Sequence, residues 1–185
     1  MLYKLVAALS LAGAAAVDTC PGDTRSPYTC DQDSTHRVCA TLMESCSGGG
    51  SKKQWGSQDF WALTNQEAFD WSSEICADPN PGDSWCICMW ATEELIEQVG
   101  CDSINLTCEG TDVCYVLQSY TDAGMTGNKD LSGAHDCITS KCPTEAAACS
   151  EKSKPKSAAV LAQVNATAQP AASPKKATPT HSMQA

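Results

Sequence analysis

The chain has 185 residues, thirteen of them cysteine, and a formal net charge of −10. The charge is uneven: residues 1–16 carry +1 and residues 151–185 carry +4, leaving −15 on residues 17–150, where six Lys/Arg face twenty-one Asp/Glu. So acidic a stretch repels nucleic acid and anionic lipid surfaces, which argues against both as partners, and past the N-terminal run nothing is apolar enough to span a membrane.

In chain order, Lys4 precedes an apolar run from Leu5 to Ala16, broken only by Ser10 and Gly13, with small residues at Ala14 and Ala16. This pattern predicts a signal peptide over residues 1–16, cleaved near Ala16–Val17, and places the mature protein outside the cell or in the secretory-pathway lumen. The cysteines then follow: Cys20, Cys30, Cys39, Cys46, Cys76, Cys86, Cys88, Cys101, Cys108, Cys114, Cys137, Cys142 and Cys149. Such density in an oxidising compartment predicts a disulfide scaffold over residues 17–150. Six bridges use twelve sulfurs and leave one over, so a covalent dimer through the odd cysteine stays open; spacing does not reveal the pairing. Asn105-Leu106-Thr107 and Asn165-Ala166-Thr167 fit the N-glycosylation pattern and agree with export.

Residues 17–33 are rich in turn formers, among them Pro21-Gly22-Asp23, Ser26-Pro27 and Asp31-Gln32-Asp33. Asp31 to Thr35 begins like a calcium loop, but His36 stands at its glycine position and Leu42 at its final glutamate position. Ser34 or Thr35 is expected to cap a helix carrying Val38, Cys39, Leu42, Met43 and Cys46 on one face. Ser47 to Ser51 reads as a loop. Trp55, Phe60, Trp61, Phe69 and Trp71 supply apolar area, read as core ahead of a binding groove, with Asn65 capping a helix from Gln66 to Ile75.

Pro79 to Asp83 is a break, after which Asp83 or Ser84 is expected to cap a helix with Trp85, Cys88, Met89, Thr92, Leu95, Ile96 and Val99 on one face and Gly100 as its stop. Ile104 to Leu106 suits one short strand. Thr111 or Asp112 caps a further helix burying Val113, Val116, Leu117 and Tyr120; Gly124 to Asp130 is a loop; Ser132 opens a helix with His135, Cys137, Ile138 and Cys142; a last turn runs from Thr144 to Cys149. The expected fold is therefore mainly α, with a small α+β content possible: one compact, disulfide-rich helical domain with bridged loops. Residues 151–185 are low-complexity Ala, Lys, Pro, Ser and Thr and are expected to be a disordered spacer.

His36-Arg37-Val38-Cys39-Ala40 and the later Pro81-Gly82-Asp83-Ser84-Trp85-Cys86-Ile87-Cys88 resemble the paired signatures of an uncharacterised family, domain-of-unknown-function family 2237, over roughly residues 18–120. The family brings no established activity. The resemblance does single out His36, Cys39, Cys86 and Cys88 as one set, chemically suited to zinc, although an exported chain favours bridges at those cysteines.

No Gly-x-Ser-x-Gly and no His-Glu-x-x-His occurs, and His135 and Asp136, as neighbours on a helix, diverge. The sequence thus leans away from an enzyme and calls for no cofactor. It favours a binding or interaction module whose partner is an unknown protein or a small apolar ligand. The alternatives are a small-lipid carrier, the zinc domain, and a thiol-redox protein using Cys86 and Cys88 at the start of a helix, where the helix dipole activates a thiol.

Overall fold

Two short strands brought together from distant parts of the chain organise the structure. It is a computed structural model that describes residues 16–119 and 129–152. The predicted leader up to Ala15, Tyr120, Asn165 and the tail beyond Lys152 lie outside the described residues.

Strand β1 (His36–Thr41) is followed by the short antiparallel pair β2 (Met43–Ser45) and β3 (Ser51–Lys52). Two single-turn helices come next, α1 (Phe60–Leu63) and α2 (Ser72–Ile75). Strand β4 (Ser84–Cys88) runs directly into α3 (Met89–Val99), and α4 (Val113–Gln118), α5 (Ser132–Lys141) and α6 (Pro143–Lys152) complete the order. β1 and β4 pair antiparallel with Cys39 opposite Cys86 and Ala40 opposite Trp85, and a register shift between His36 and Val38 leaves His36 opposite Cys88.

The expectation of a mainly α fold is therefore corrected: the domain is mixed α/β, with a two-stranded ribbon at its centre. The helix expected from Ser34 is instead β1 and β2. Asp33 is the local reason, because its Oδ1 accepts from the backbone N–H groups of Thr35 and His36, both at 2.7 Å, and so turns the chain into a strand. The helix expected from Asp83 starts later, at Met89, because Ser84 to Cys88 is claimed by β1. Its predicted stop is observed: Gly100 has φ 76° and its N–H donates to the Ile96 carbonyl. The helix expected from Gln66 to Ile75 is broken into a 3₁₀ turn and α2, preceded by Asn65 at φ 56°. α1 is capped instead by Asp59, whose side chain accepts from the Ala62 N–H.

The core lies between the ribbon and the helices. Val38, Ala40, Leu42, Phe60, Trp61, Met89, Leu95, Val116 and Ile138 are fully buried in one cluster. Burying each large side chain of that set is worth about 1.5–3 kcal/mol. α5 docks on α3 through a buried carboxylate: Glu93 Oε2 accepts from the Ala134 N–H at 2.5 Å, in the first turn of α5. Of the helices expected near the C-terminus, α4 carries its Asp112 cap and buries Val113 and Val116, α5 opens at Ser132, and α6 covers the expected last turn. Leu117 is half-buried against the core. The expected strand at Ile104–Leu106 is a single bridge between Leu106 and Ala40.

Six disulfides cross-link the domain, as the count of thirteen cysteines implies. Cys20–Cys39, Cys30–Cys86 and Cys46–Cys76 tie the ribbon region. Cys101–Cys137, Cys108–Cys142 and Cys114–Cys149 tie the segment around α4 to α5 and α6. The thirteenth, Cys88, stands outside the bridges and is buried. Among the described residues no helix is long and apolar enough to cross a membrane.

Candidate functional site at the ribbon

The two segments singled out in the sequence meet in the ribbon: His36–Ala40 lies in β1, and the last five residues of Pro81–Cys88 are β4. Pro81-Gly82-Asp83 leads into β4 against the N-terminal loop, and a Cβ on Gly82 would lie 2.2 Å from the Pro21 carbonyl carbon, so only glycine fits there. The Asp83 carbonyl in turn accepts from the N–H groups of Leu42 and Met43, at 2.8 and 3.0 Å, which fixes the turn beside the ribbon.

Around this ribbon gather Asp23, Arg25, Asp33, His36 and Trp85. Asp23 is fully buried; its carboxylate accepts from the Arg25 side chain, from the Arg25 N–H at 2.8 Å and from the Cys86 N–H at 3.1 Å. A carboxylate without exposure needs such charge-assisted donors. Arg25 also donates to the Cys86 carbonyl at 2.8 Å and lies over the Trp85 ring, 5.4 Å from its centroid. Asp23 and Arg25 thereby clamp both backbone groups of Cys86. His36 Nδ1 meets Asp33 Oδ2 at 2.9 Å at the open edge of the same cluster, where the two side chains are 40% and 42% exposed. Burial raises the Asp33 pKa, but the His36 and Thr35 N–H groups and the His36 ring outweigh it and bring the carboxyl down to about 2. The Asp33 carboxylate on Nδ1 orients the His36 imidazole at this edge.

The zinc set suggested by the resemblance is not brought together. His36 turns to Asp33, Cys39 is bridged to Cys20, Cys86 to Cys30, and Cys88 packs in the apolar core as the residue preceding α3. The redox pair is likewise divided, with Cys86 in a bridge and Cys88 in the core. Instead, Cys20, Cys30, Cys39 and Cys86 form a separate buried cluster, each at most 1% exposed. Asp23, Arg25 and Asp33 were not singled out by the sequence, where they are turn residues between Cys20 and His36. The one available signal was the spacing Asp33-x-x-His36, short enough for a side-chain contact.

The aromatic group divides. Phe60 and Trp61 are core, Trp71 is half-buried, and Phe69, expected inside, is 72% exposed. The reason is the broken helix: the 3₁₀ turn from Glu67 to Phe69 carries the ring away from the core. Trp61 and Trp71 meet edge to face at 5.6 Å, and Lys52 pairs with Asp59 and Asp70 at 2.7 and 2.5 Å. Bonds to Asp59 and Asp70 raise the Lys52 pKa; Asp70, raised by burial, is lowered overall by Lys52 and Ser72. The indole Nε1 atoms of Trp61 and Trp71 are buried and meet no acceptor among the described residues. Asn105 is exposed, accessible to a glycan.

Compared with models of known protein families, with curated proteins and with solved structures, the chain matches none.

Proposed function

We propose that this is a secreted, disulfide-stabilised interaction module that binds another protein through the aromatic ledge at Phe69, with the leader removed on export and a glycan on Asn105. Twelve bridged cysteines and the absence of a membrane-spanning helix among the described residues support export. The resemblance to domain-of-unknown-function family 2237 is part of this reading: the shared element is the ribbon, which serves as the scaffold on which the ledge is mounted.

One observation carries the binding role. Phe69 is the exposed large apolar side chain among the described residues, at 72%, and it is mounted on a cross-linked base. A large aromatic ring presented to solvent suits the anchor of an interface, because covering it removes apolar surface from water. Photo-crosslinking tests this reading. With benzoylphenylalanine placed at Phe69 in the secreted chain, a discrete adduct is expected in the extracellular fluid of the producing cell. The same probe at Gln98, exposed on α3, should give none. Equal labelling from both positions contradicts the ledge as the interface.

A further inference from the structure

We infer, resting on the ledge as the interface, that the protein covering Phe69 is basic there: it meets the ring with an apolar group flanked by lysine or arginine. Residues 54–128 hold thirteen Asp/Glu and no Lys, Arg or His, and the ledge lies inside this stretch. Phe69 ends the 3₁₀ turn Glu67–Phe69, with Glu67 exposed in the same turn. Glu74 is exposed in α2, and Asp78 is exposed two residues beyond Cys76, which is bridged to Cys46. Among the described residues none of these three carboxylates is in an ion pair. Lys52 does not neutralise them, because Asp59 and Asp70 share it.

Unpaired charges of one sign on one short segment sum into a local field. At physiological salt the field decays over about 8 Å, so it acts on cations brought to the ledge itself. The ring then supplies the apolar contact and the carboxylates choose the partner. Complementary charge around an interface speeds encounter and rejects wrong partners more than it adds affinity. A second copy of the chain is a poor occupant on the same ground. Two-fold pairing sets a patch against itself, and here it would oppose Glu67, Glu74 and Asp78 with their own like charges.

The test titrates three peptides into the isotope-labelled full chain with its disulfides intact and follows backbone amide shifts. One peptide has a core of two leucines flanked on each side by three lysines; the others carry serines or glutamates as flanks. At low ionic strength the lysine peptide is expected to shift the amides of Glu67 to Trp71 and to bind there about tenfold more tightly than the serine peptide, with the glutamate peptide weakest. Salt at about 1 M, where the Debye length is about 3 Å, should bring the lysine and serine peptides together. Glu67→Gln, Glu74→Gln and Asp78→Asn combined should close the same gap at low salt and leave serine-peptide binding unchanged. Phe69→Ala should abolish the ledge shifts.

Equal binding of the lysine and serine peptides at low salt overturns the proposal. So do shifts of equal size at Asp102 and Glu109, exposed elsewhere, which would mark general attraction to an acidic surface. Absence of any shift at the ledge overturns it too. A dimer in sedimentation that Phe69→Ala dissolves does the same, by making the occupant a second copy. Equal peptide binding leaves the ledge standing as an interface for an uncharged partner, whereas the ledge itself falls on equal photo-crosslinking from Phe69 and Gln98.

Discussion

The molecule uses sulfur in two different ways on its two sides. In the ribbon region, Cys20–Cys39 and Cys30–Cys86 converge from different loops on one buried point, with bridged residues 19 and 56 positions apart. In the helical region, Cys101–Cys137, Cys108–Cys142 and Cys114–Cys149 are spaced 36, 34 and 35 residues apart and repeat one connection three times. No bridge links the two sets. They meet through packing and polar contacts, such as the Arg37–Asp112 ion pair at 2.6 Å, with the Arg37 guanidinium 4.0 Å from the Tyr115 ring centroid. We call the converging pair a knot and the three repeated connections a ladder, in which the loss of one rung leaves two others holding the same segments.

The largest expected effect breaks the knot. Replacing Cys30 and Cys86 together by alanine should cost roughly 4 kcal/mol in denaturant unfolding, since it reopens a long loop. Replacing Cys114 and Cys149 should cost less, about 3 kcal/mol, because the remaining rungs already hold the same segments close. Equal losses, or a greater loss from the rung, would erase the distinction.

Charge sharpens it next. Glu93→Ala removes the acceptor at the start of α5 and should cost about 1–2 kcal/mol, read as a lower thermal midpoint. Burial raises the Glu93 pKa, against the lowering by the Ala134 N–H. A raised carboxyl pKa favours folding at low pH, so this contribution falls as pH rises through the folded-state value, and Glu93→Gln should flatten that slope. On the ribbon side the sign is opposite. Asp33, with its pKa near 2, contributes stability above the unfolded-state value that is lost as pH falls toward 2. Because the side chain is 42% exposed and screened by solvent, Asp33→Asn should cost only about 1 kcal/mol at neutral pH, a difference that closes in acid. Smallest is Phe69→Ala, expected to leave the unfolding midpoint within about 0.5 kcal/mol while abolishing partner capture.

The same division decided what could be read from the sequence. The helical side was legible: the Gly100 stop, the Asp112 cap and the Ser132 start are local signals, and each acts within its own turn. The ribbon side was not. Every residue of β4 is buried, so it lacks the alternation that marks a half-exposed strand, and its apolar run continues into α3 without a break. Val38, Cys39, Leu42 and Met43 fit a helical repeat as well as a strand buried on both faces, and only the distant partner β4 decides between them. Phe69 was misplaced because the helix that would have buried it is interrupted. The buried Asp23–Arg25 clamp arises from long-range folding around Cys86, for which adjacent sequence carries no pattern.

A peptide map of the disulfides, prepared from non-reduced secreted protein in acid to prevent exchange, tests the knot and ladder most directly. It should return the three bridges of the ribbon, the three rungs of the helical side, and Cys88 as a thiol. A single peptide joining any cysteine from Cys20 to Cys88 with one from Cys101 to Cys149 would contradict the separation.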